Sequence, residues 1–439
     1  MSEVVPGDHW RRLHPLSPLV RFGRVVVGLL VLSVPSLQAT HPHDRSWLNP
    51  SLISYAVLLV AGGLAGVVSW AVTRWRIDGG DLRIETGLIR RQSFRIPLAR
   101  IQAVDIVAPL AARVLGLAEV RVVSAGRGTE RGRLAYLTAG EAPQVRARLL
   151  ALAHGLAGET PEPPAVALVH VANSLLIPAL SLRAAVAAPL GIALAAIVLL
   201  VVSPEAGAAF VSGSFGALVL GIISVGRTFN EDFDFAVSEA GDGVRLDRGL
   251  LQRRHETIPY GRIQAVRLVE PLLWRPFGWV RLEVDVARQH MSRESDPSAQ
   301  QVARTLLPVA SREQAMWLLG RVMPNAGVQP PPEARPPRRA WVRAPLSYHF
   351  LAAWYGHKYA YARTGRVQAA TIVVPLLKVQ SVRLESGPLL RALRLATVHV
   401  DTAGRRWQAS ASCRDQEEAD QMLWAVSERA RLARRRTAA

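Results

Sequence analysis

The chain has 439 residues, 50% of them hydrophobic, with 53 lysines and arginines against 34 acidic residues and a formal charge of +19. That length and apolar content allow two or three soluble domains together with membrane spans. A single cysteine, Cys413, excludes an intramolecular disulfide and a multi-cysteine zinc site, and no nucleic-acid-binding motif accompanies the charge, so no nucleic-acid partner is expected.

From the N-terminus, residues 1–21 form a polar cytoplasmic segment carrying Arg11, Arg12 and Arg21, without a trustworthy signal-peptide cleavage site. Residues 22–73 are expected to form a first transmembrane hairpin. Its apolar runs Phe22–Ala39 and Leu52–Thr73 are joined by the loop HPHDRSWLNP. In that loop His41, His43 and Asp44 stand together, either as a metal grip or as an accident of a short polar segment, and no metal is assigned. Gly62, Gly63 and Gly66 would allow close helix approach, unless the run is simply rich in small residues.

Residues 74–157 read as a first soluble domain and 158–183 as a linker. Residues 184–226 read as a second transmembrane hairpin, Ala184–Ser203 and Ala206–Gly226, turning at Pro204 and Glu205. A second domain covers 227–323, a proline-rich linker 324–340, and a third domain with a basic C-terminal helix 341–439. The linker, PNAGVQPPPEARPPRR up to Arg339, predicts an extended, semi-rigid tether. Arginines flank the hairpins at Arg21, Arg74, Arg76, Arg183 and Arg227, while the connecting loops hold only Arg45. The positive-inside rule therefore expects four spans in the inner membrane, with both termini and all soluble domains cytoplasmic.

The soluble parts repeat. Gly87, Gly249 and Gly365 are each followed at fixed offsets by Pro97, Pro259 and Pro375, by Gln102, Gln264 and Gln380, and by Arg113, Arg275 and Arg391. Three preserved offsets in three copies mean one folding unit used three times. Period-two alternation, as through Leu82, Ile84 and Thr86, predicts half-buried strands. Each copy then reaches a capping signal, Thr138 with Glu141, Ser311 with Gln314, and Ser412 with Asp415. Helical spacing of apolar residues follows, as in Val145, Leu149 and Leu152. The recurring glutamines fit backbone satisfaction at a sheet corner better than ligand binding.

The patterns G-L-x-x-R and I-P-x-x-R-I-Q in the first two copies, followed by L-G-x-x-x-V in the first and by the closely similar F-G-x-x-x-L in the second, resemble the bacterial pleckstrin-homology-like (PH-like) domain of YdbS/YdbT-like membrane proteins. The third copy departs at Arg394, which stands where the others have Gly116 and Gly278, and at Val379. The resemblance implies three α+β, mainly-β domains, each a seven-stranded bent antiparallel sheet closed by a C-terminal helix, and a companion subunit carrying one such domain. It implies no chemistry.

No catalytic constellation is present: no G-x-S-x-G, phosphate loop or H-E-x-x-H occurs, and His255 with Glu256, or Glu231 with Asp232 and Asp234, reads as strand-face or boundary charge. No enzyme activity and no cofactor are expected. Arginine supplies nearly all the positive charge, since Lys358 and Lys378 are the only lysines, either through coding composition or as a phosphate-binding surface. Candidate membrane-surface contacts are Arg90 and Arg91, Arg253 and Arg254, and Arg434, Arg435 and Arg436; the first two pairs are expected to make a hairpin turn basic, whereas the third copy has Gln368 and Ala369 at the offsets of the first pair. The aromatics Tyr348, Trp354, Tyr355, Tyr359 and Tyr361 are either sheet core or a headgroup-touching surface. The whole reads as a membrane scaffold contacting the bilayer, its anionic headgroups and a smaller PH-like subunit. The alternatives are a lipid sensor or a transporter component built on the helix bundle.

Overall fold

The structure, a computed structural model, describes residues 10–20, 22–23, 50–78, 80–87, 91–124, 133–156, 165–241, 243–287, 304–404 and 407–438. It divides into two compact units. The first holds Met1–Pro164 and Leu251–Thr257; the second holds Ala165–Leu250, Ile258–Gln289 and Arg293–Ala439.

In the first unit, β1 (Arg11–Arg12) is followed by helix α1 (Pro50–Val72) and by β2 (Arg74–Asp78), β3 (Asp81–Thr86) and β4 (Gln92–Pro97), antiparallel in that order. A second antiparallel layer comprises β5 (Ile101–Pro109), β6 (Leu117–Ser124) and β7 (Arg133–Thr138), followed by α2 (Glu141–Ala153). Alternation puts Leu82 and Ile84 of β3 inside, with Trp75 and Ile96 from its neighbours. The α2 stripe Ala142, Val145 and Leu149 closes the same core over Val104, Val120 and Leu134. Burying a side chain the size of Leu149 contributes about 1.5–3 kcal/mol. Thr138 and Glu141 bond reciprocally at the start of α2, as the capping signal predicts. Trp70 at the end of α1 donates to the Leu13 carbonyl (2.9 Å), fastening that helix to the β1 segment. Within this unit Gln252–His255 lies antiparallel along β5, with Gln252 opposite Pro109 and His255 opposite Ile106.

The second unit contains two repeats. The first runs through β8 (Val166–His170), α3 (Asn173–Ser181), α4 (Ala184–Val202), α5 (Pro204–Asp232), β9 (Ala236–Ala240), β10 (Gly243–Arg248), β11 (Gln252–Pro259, shared with the first unit), β12 (Ile263–Pro271), β13 (Trp279–Val286), β14 (Arg304–Ser311) and α6 (Arg312–Val322). The next has β15 (Ala352–Tyr355), β16 (Tyr359–Thr364), β17 (Gln368–Pro375), β18 (Val379–Glu385), β19 (Leu395–Thr402), β20 (Ala409–Asp415) and α7 (Gln416–Ala438). β8 pairs with β9, so helices α3 to α5 are inserted between adjacent strands of one sheet. The same plan recurs where β1 pairs with β2 across α1. Residues 158–183 are therefore not simply a linker, because they contribute a strand and a helix that local composition did not signal.

Among the described residues, seven strands per domain hold for the first repeat, β1 to β7, and for the second, β8 to β14, whereas the third has six. In each repeat the recurring proline ends a strand and opens a one-turn helix: Leu98–Arg100, Tyr260–Arg262 and Leu376–Lys378. The recurring glutamine falls at a register shift in every copy, between Ile101 and Ala103, Ile263 and Ala265, and Val379 and Ser381. The one-turn helix carries the chain from the first layer into the second, and a register shift of this kind bends the strand that follows it.

Three expectations are corrected. A membrane span needs roughly 20 consecutive apolar residues, and among the described residues no helix is long and apolar enough to cross a membrane. The architecture of four transmembrane helices is thereby overturned. Most of Phe22–Ala39, and the loop with His41, His43 and Asp44, lie outside the described residues. Second, residues 324–340 are not a free tether. Val328, Ala334 and Ala340 are buried, the carbonyls of Pro324 and Pro336 accept from Tyr359 and Tyr348, and those of Glu333 and Ala334 accept from the buried Arg414. Proline lacks a donor but keeps its carbonyl, so the proline-rich part docks through acceptors, while the Gly327 amide donates to the Tyr361 hydroxyl and Arg339 to the Arg394 carbonyl. Third, Ser412 lies inside β20, and it is Asp415 that accepts from the Glu417 amide at the start of α7.

A basic site beside the C-terminal helix

The last turns of α7 carry Arg429, Leu432, Ala433 and Arg436, which share one face because helix positions three, four and seven apart line up. That face meets the β15–β16 turn and the β17 end, enclosing a cavity of about 410 Å³ lined by His357, Lys358, Tyr359, Pro375, Leu377, Arg429, Leu432, Ala433 and Arg436. No carboxylate is among these residues. Arg429 is held in place, its guanidinium 4.7 Å from the Tyr355 ring centroid and donating to the Gly356 carbonyl at 2.8 Å. Burial first, and then the neighbouring Tyr361, push the Tyr359 phenol above its ordinary value, so it stays neutral and donates to the Pro324 carbonyl. Three cationic side chains and an imidazole around an apolar floor suit an anion attached to an apolar body.

The other predicted contacts are scattered. Arg90 lies outside the described residues, and Arg91 is exposed just before β4. Arg253 and Arg254 are not on a hairpin turn: they are strand residues opposite Ala108 and Val107, and Arg254 donates to Gln252. Arg434 donates to the Val379 carbonyl, while Arg435 and Arg436 are exposed in the last helical turn, where cations also complement the helix dipole.

Among the repeat residues, Gly87, Gly249 and Gly365 all have positive φ (98°, 109° and 90°). At Gly365 an added Cβ would lie 2.2 Å from the Gln368 carbonyl oxygen, so the turn needs glycine there. Gln264 is buried and donates to the Arg262 carbonyl, whereas Gln380 is exposed. Tyr359 and Tyr361 belong to the core, and Trp354 stacks on Tyr361 at 4.8 Å. Lys358 and His357 were not singled out for the site because they come from a distant turn. The only local signal was the seven-residue spacing of Arg429 and Arg436 in a helix.

Paired antiparallel layers, bulged at the crossing and closed by a helix, define a PH-like domain, and here that unit recurs three times. Residues 26–153, 173–325 and 338–430 match the family model for the bacterial PH domain, and the chain belongs to that family. It is also similar to the UPF0699 transmembrane protein YdbT of Bacillus subtilis (strain 168), with 22% identity over 303 residues. The match covers 62% of this chain and 60% of that relative. No solved structure matches the chain.

Proposed function

We propose that this protein is a non-enzymatic, membrane-associated scaffold that presents tandem PH-like domains at the cytoplasmic face of the inner membrane. One observation carries the membrane part. Helices α4 and α5 expose Leu194, Ile197, Val198, Val201, Val202 and Ile222 to more than half their full areas, with Val201 at 80%. Exposed apolar patches of this kind mark membrane or protein contact. The relative's printed name, a transmembrane protein, and the charge of +19, which favours an anionic leaflet, support the same reading. Its partners are the bilayer, anionic headgroups and other PH-like subunits.

A lipid-sensing role is a second reading favoured by the basic cavity at Lys358, Arg429 and Arg436. Fractionation of cells expressing the full chain separates these. The scaffold reading expects the protein in the membrane pellet after a high-salt wash, both for the parent and for an Arg429→Gln, Arg436→Gln variant. Recovery of the parent in the soluble fraction would sink membrane association. Salt-sensitive release of the variant alone would favour headgroup binding as the anchor.

A further inference from the structure

The repeats are joined edge to edge in one fixed register. Within the first unit, Gln252 lies opposite Pro109 on β5; within the second, Gln368 of β17 lies opposite Pro271 of β12. Counting from the repeat prolines at 97, 259 and 375, these are the same two positions each time. The first strand of one second layer therefore accepts the last first-layer strand of the following repeat. Antiparallel pairing of this kind satisfies a full row of backbone donors and acceptors and is directional.

Among the described residues, the rule leaves two strands without that partner strand. β18 is equivalent to β5 and β12 but has only β19 paired beside it, and β4 is equivalent to β11 and β17 but has only β3. The consequence for burial is large: Leu268 of β12 is 1% exposed, and its counterpart Leu384 of β18 is 36% exposed. Charged side chains on an edge normally deter pairing, yet here they do not block it. Arg383 is turned onto the sheet face and bonded to Asp401 of β19, and Arg267, at the equivalent position of β12, is bonded to Glu283 of β13 while β12 still pairs with β17.

We propose that the β18 edge of one chain receives the β4 edge of a second copy, repeating the junction already used inside the chain. The shared register sets Leu384 opposite Ser93, as Leu268 is opposite Thr371, and Glu385 opposite Gln92, as Val269 is opposite Ala370. The contact is head-to-tail, so it builds rings or open arrays rather than isologous dimers. It goes beyond the membrane-scaffold reading and does not depend on it, since edges can pair whether or not the chain partitions with membranes.

Directly opposed antiparallel residues have Cα atoms about 4.5–5.5 Å apart, within disulfide reach. The test mixes two full-length detergent-solubilised chains, one carrying Ser93→Cys and the other Leu384→Cys, under mild oxidation. The native Cys413 is left in place because it is buried. A disulfide-linked dimer is expected from the mixture, at least several-fold above either chain alone and above a mixture with Glu385→Cys, whose side chain points to the other face. Equal yield from the shifted pair, or no cross-link, overturns the proposal. So does a parent chain that stays monomeric by mass at every concentration tried, including one that instead co-purifies with a separate PH-like subunit.

Discussion

Repeats two and three have the same two layers and closing helix, but they are completed differently. In repeat two, β12 is covered on one side by β13 and on the other by β17, and every residue from Ile263 to Val266 is buried. In repeat three, among the described residues, β18 has β19 alone, and five of its seven residues are exposed. What repeat three has instead is a longer helix: α7 runs 23 residues against 11 for α6, and Arg434 in its extension donates to the Val379 carbonyl at the start of β18. The difference teaches that a repeat of this type does not finish its own second layer. The neighbour does so, and repeat three substitutes helix for part of it.

The comparison breaks most sharply at a feature repeat two has and repeat three lacks, the root of the inserted helices. Arg183, just before α4, donates to Asp232 at the end of α5 (3.4 Å) and to the Pro308 carbonyl, with its guanidinium 5.5 Å from the centroid of the buried Trp274. Burial chiefly, and then repulsion from Arg281, pull its pKa down to about 10, which still leaves it charged at neutral pH. Arg183→Ala strands Asp232, which is 3% exposed, as a buried unpaired charge. Such a loss costs about 3–5 kcal/mol. Hydrogen exchange across β14 and α4 should accelerate accordingly, with repeat-three strands β19 and β20 little changed, and Asp232→Asn in the same chain should restore part of the protection. An unchanged β14 would show that the pair is dispensable.

A smaller effect is expected at the turn the repeats share. Gly365→Val places a Cβ against the Gln368 carbonyl and forces a β-branched residue to positive φ, a strain of about 1–3 kcal/mol. Because Gln368 begins β17, the strain should loosen the β12–β17 junction as well as repeat three, visible as faster exchange in both strands. Loss confined to β16 would mean that the junction holds independently of its turn.

How much of this was readable from sequence follows physical range. Features set within a few residues were legible: the repeat itself, from its fixed glycine, proline and glutamine offsets, and the helix caps at Thr138 and Ser311. Features set by partners far along the chain were not. Val166–His170 looked like linker because its identity as a strand rests on pairing with Ala236–Ala240, beyond three inserted helices. The proline-rich segment looked like a tether because its docking depends on Arg414, Tyr348 and Tyr359 reaching its carbonyls. The basic site was half legible, since the arginine run of α7 is local while Lys358 and His357 arrive through the fold.

The smallest expected effect runs in the opposite direction and sharpens the comparison at a single position. Gly116 and Gly278 occupy the left-handed region at φ 68° and 65°, and Arg394, their counterpart in repeat three, does so at φ 52°. A non-glycine residue there costs about 1–2 kcal/mol, part of which glycine gives back through its freer unfolded chain. The arginine side chain is exposed, and the contacts that hold this turn use its backbone: the Arg394 carbonyl accepts from Gln416 and from Arg339, so both survive substitution. Arg394→Gly should therefore stabilise repeat three by roughly 0.5–1 kcal/mol, the strain relieved less the added chain entropy. Slower exchange at the Leu395 end of β19 and in the first turn of α7 is the readout. Faster exchange there would mean that the guanidinium holds the turn in a way its exposure does not reveal, and that the third repeat departs from the other two at this position for its own stability.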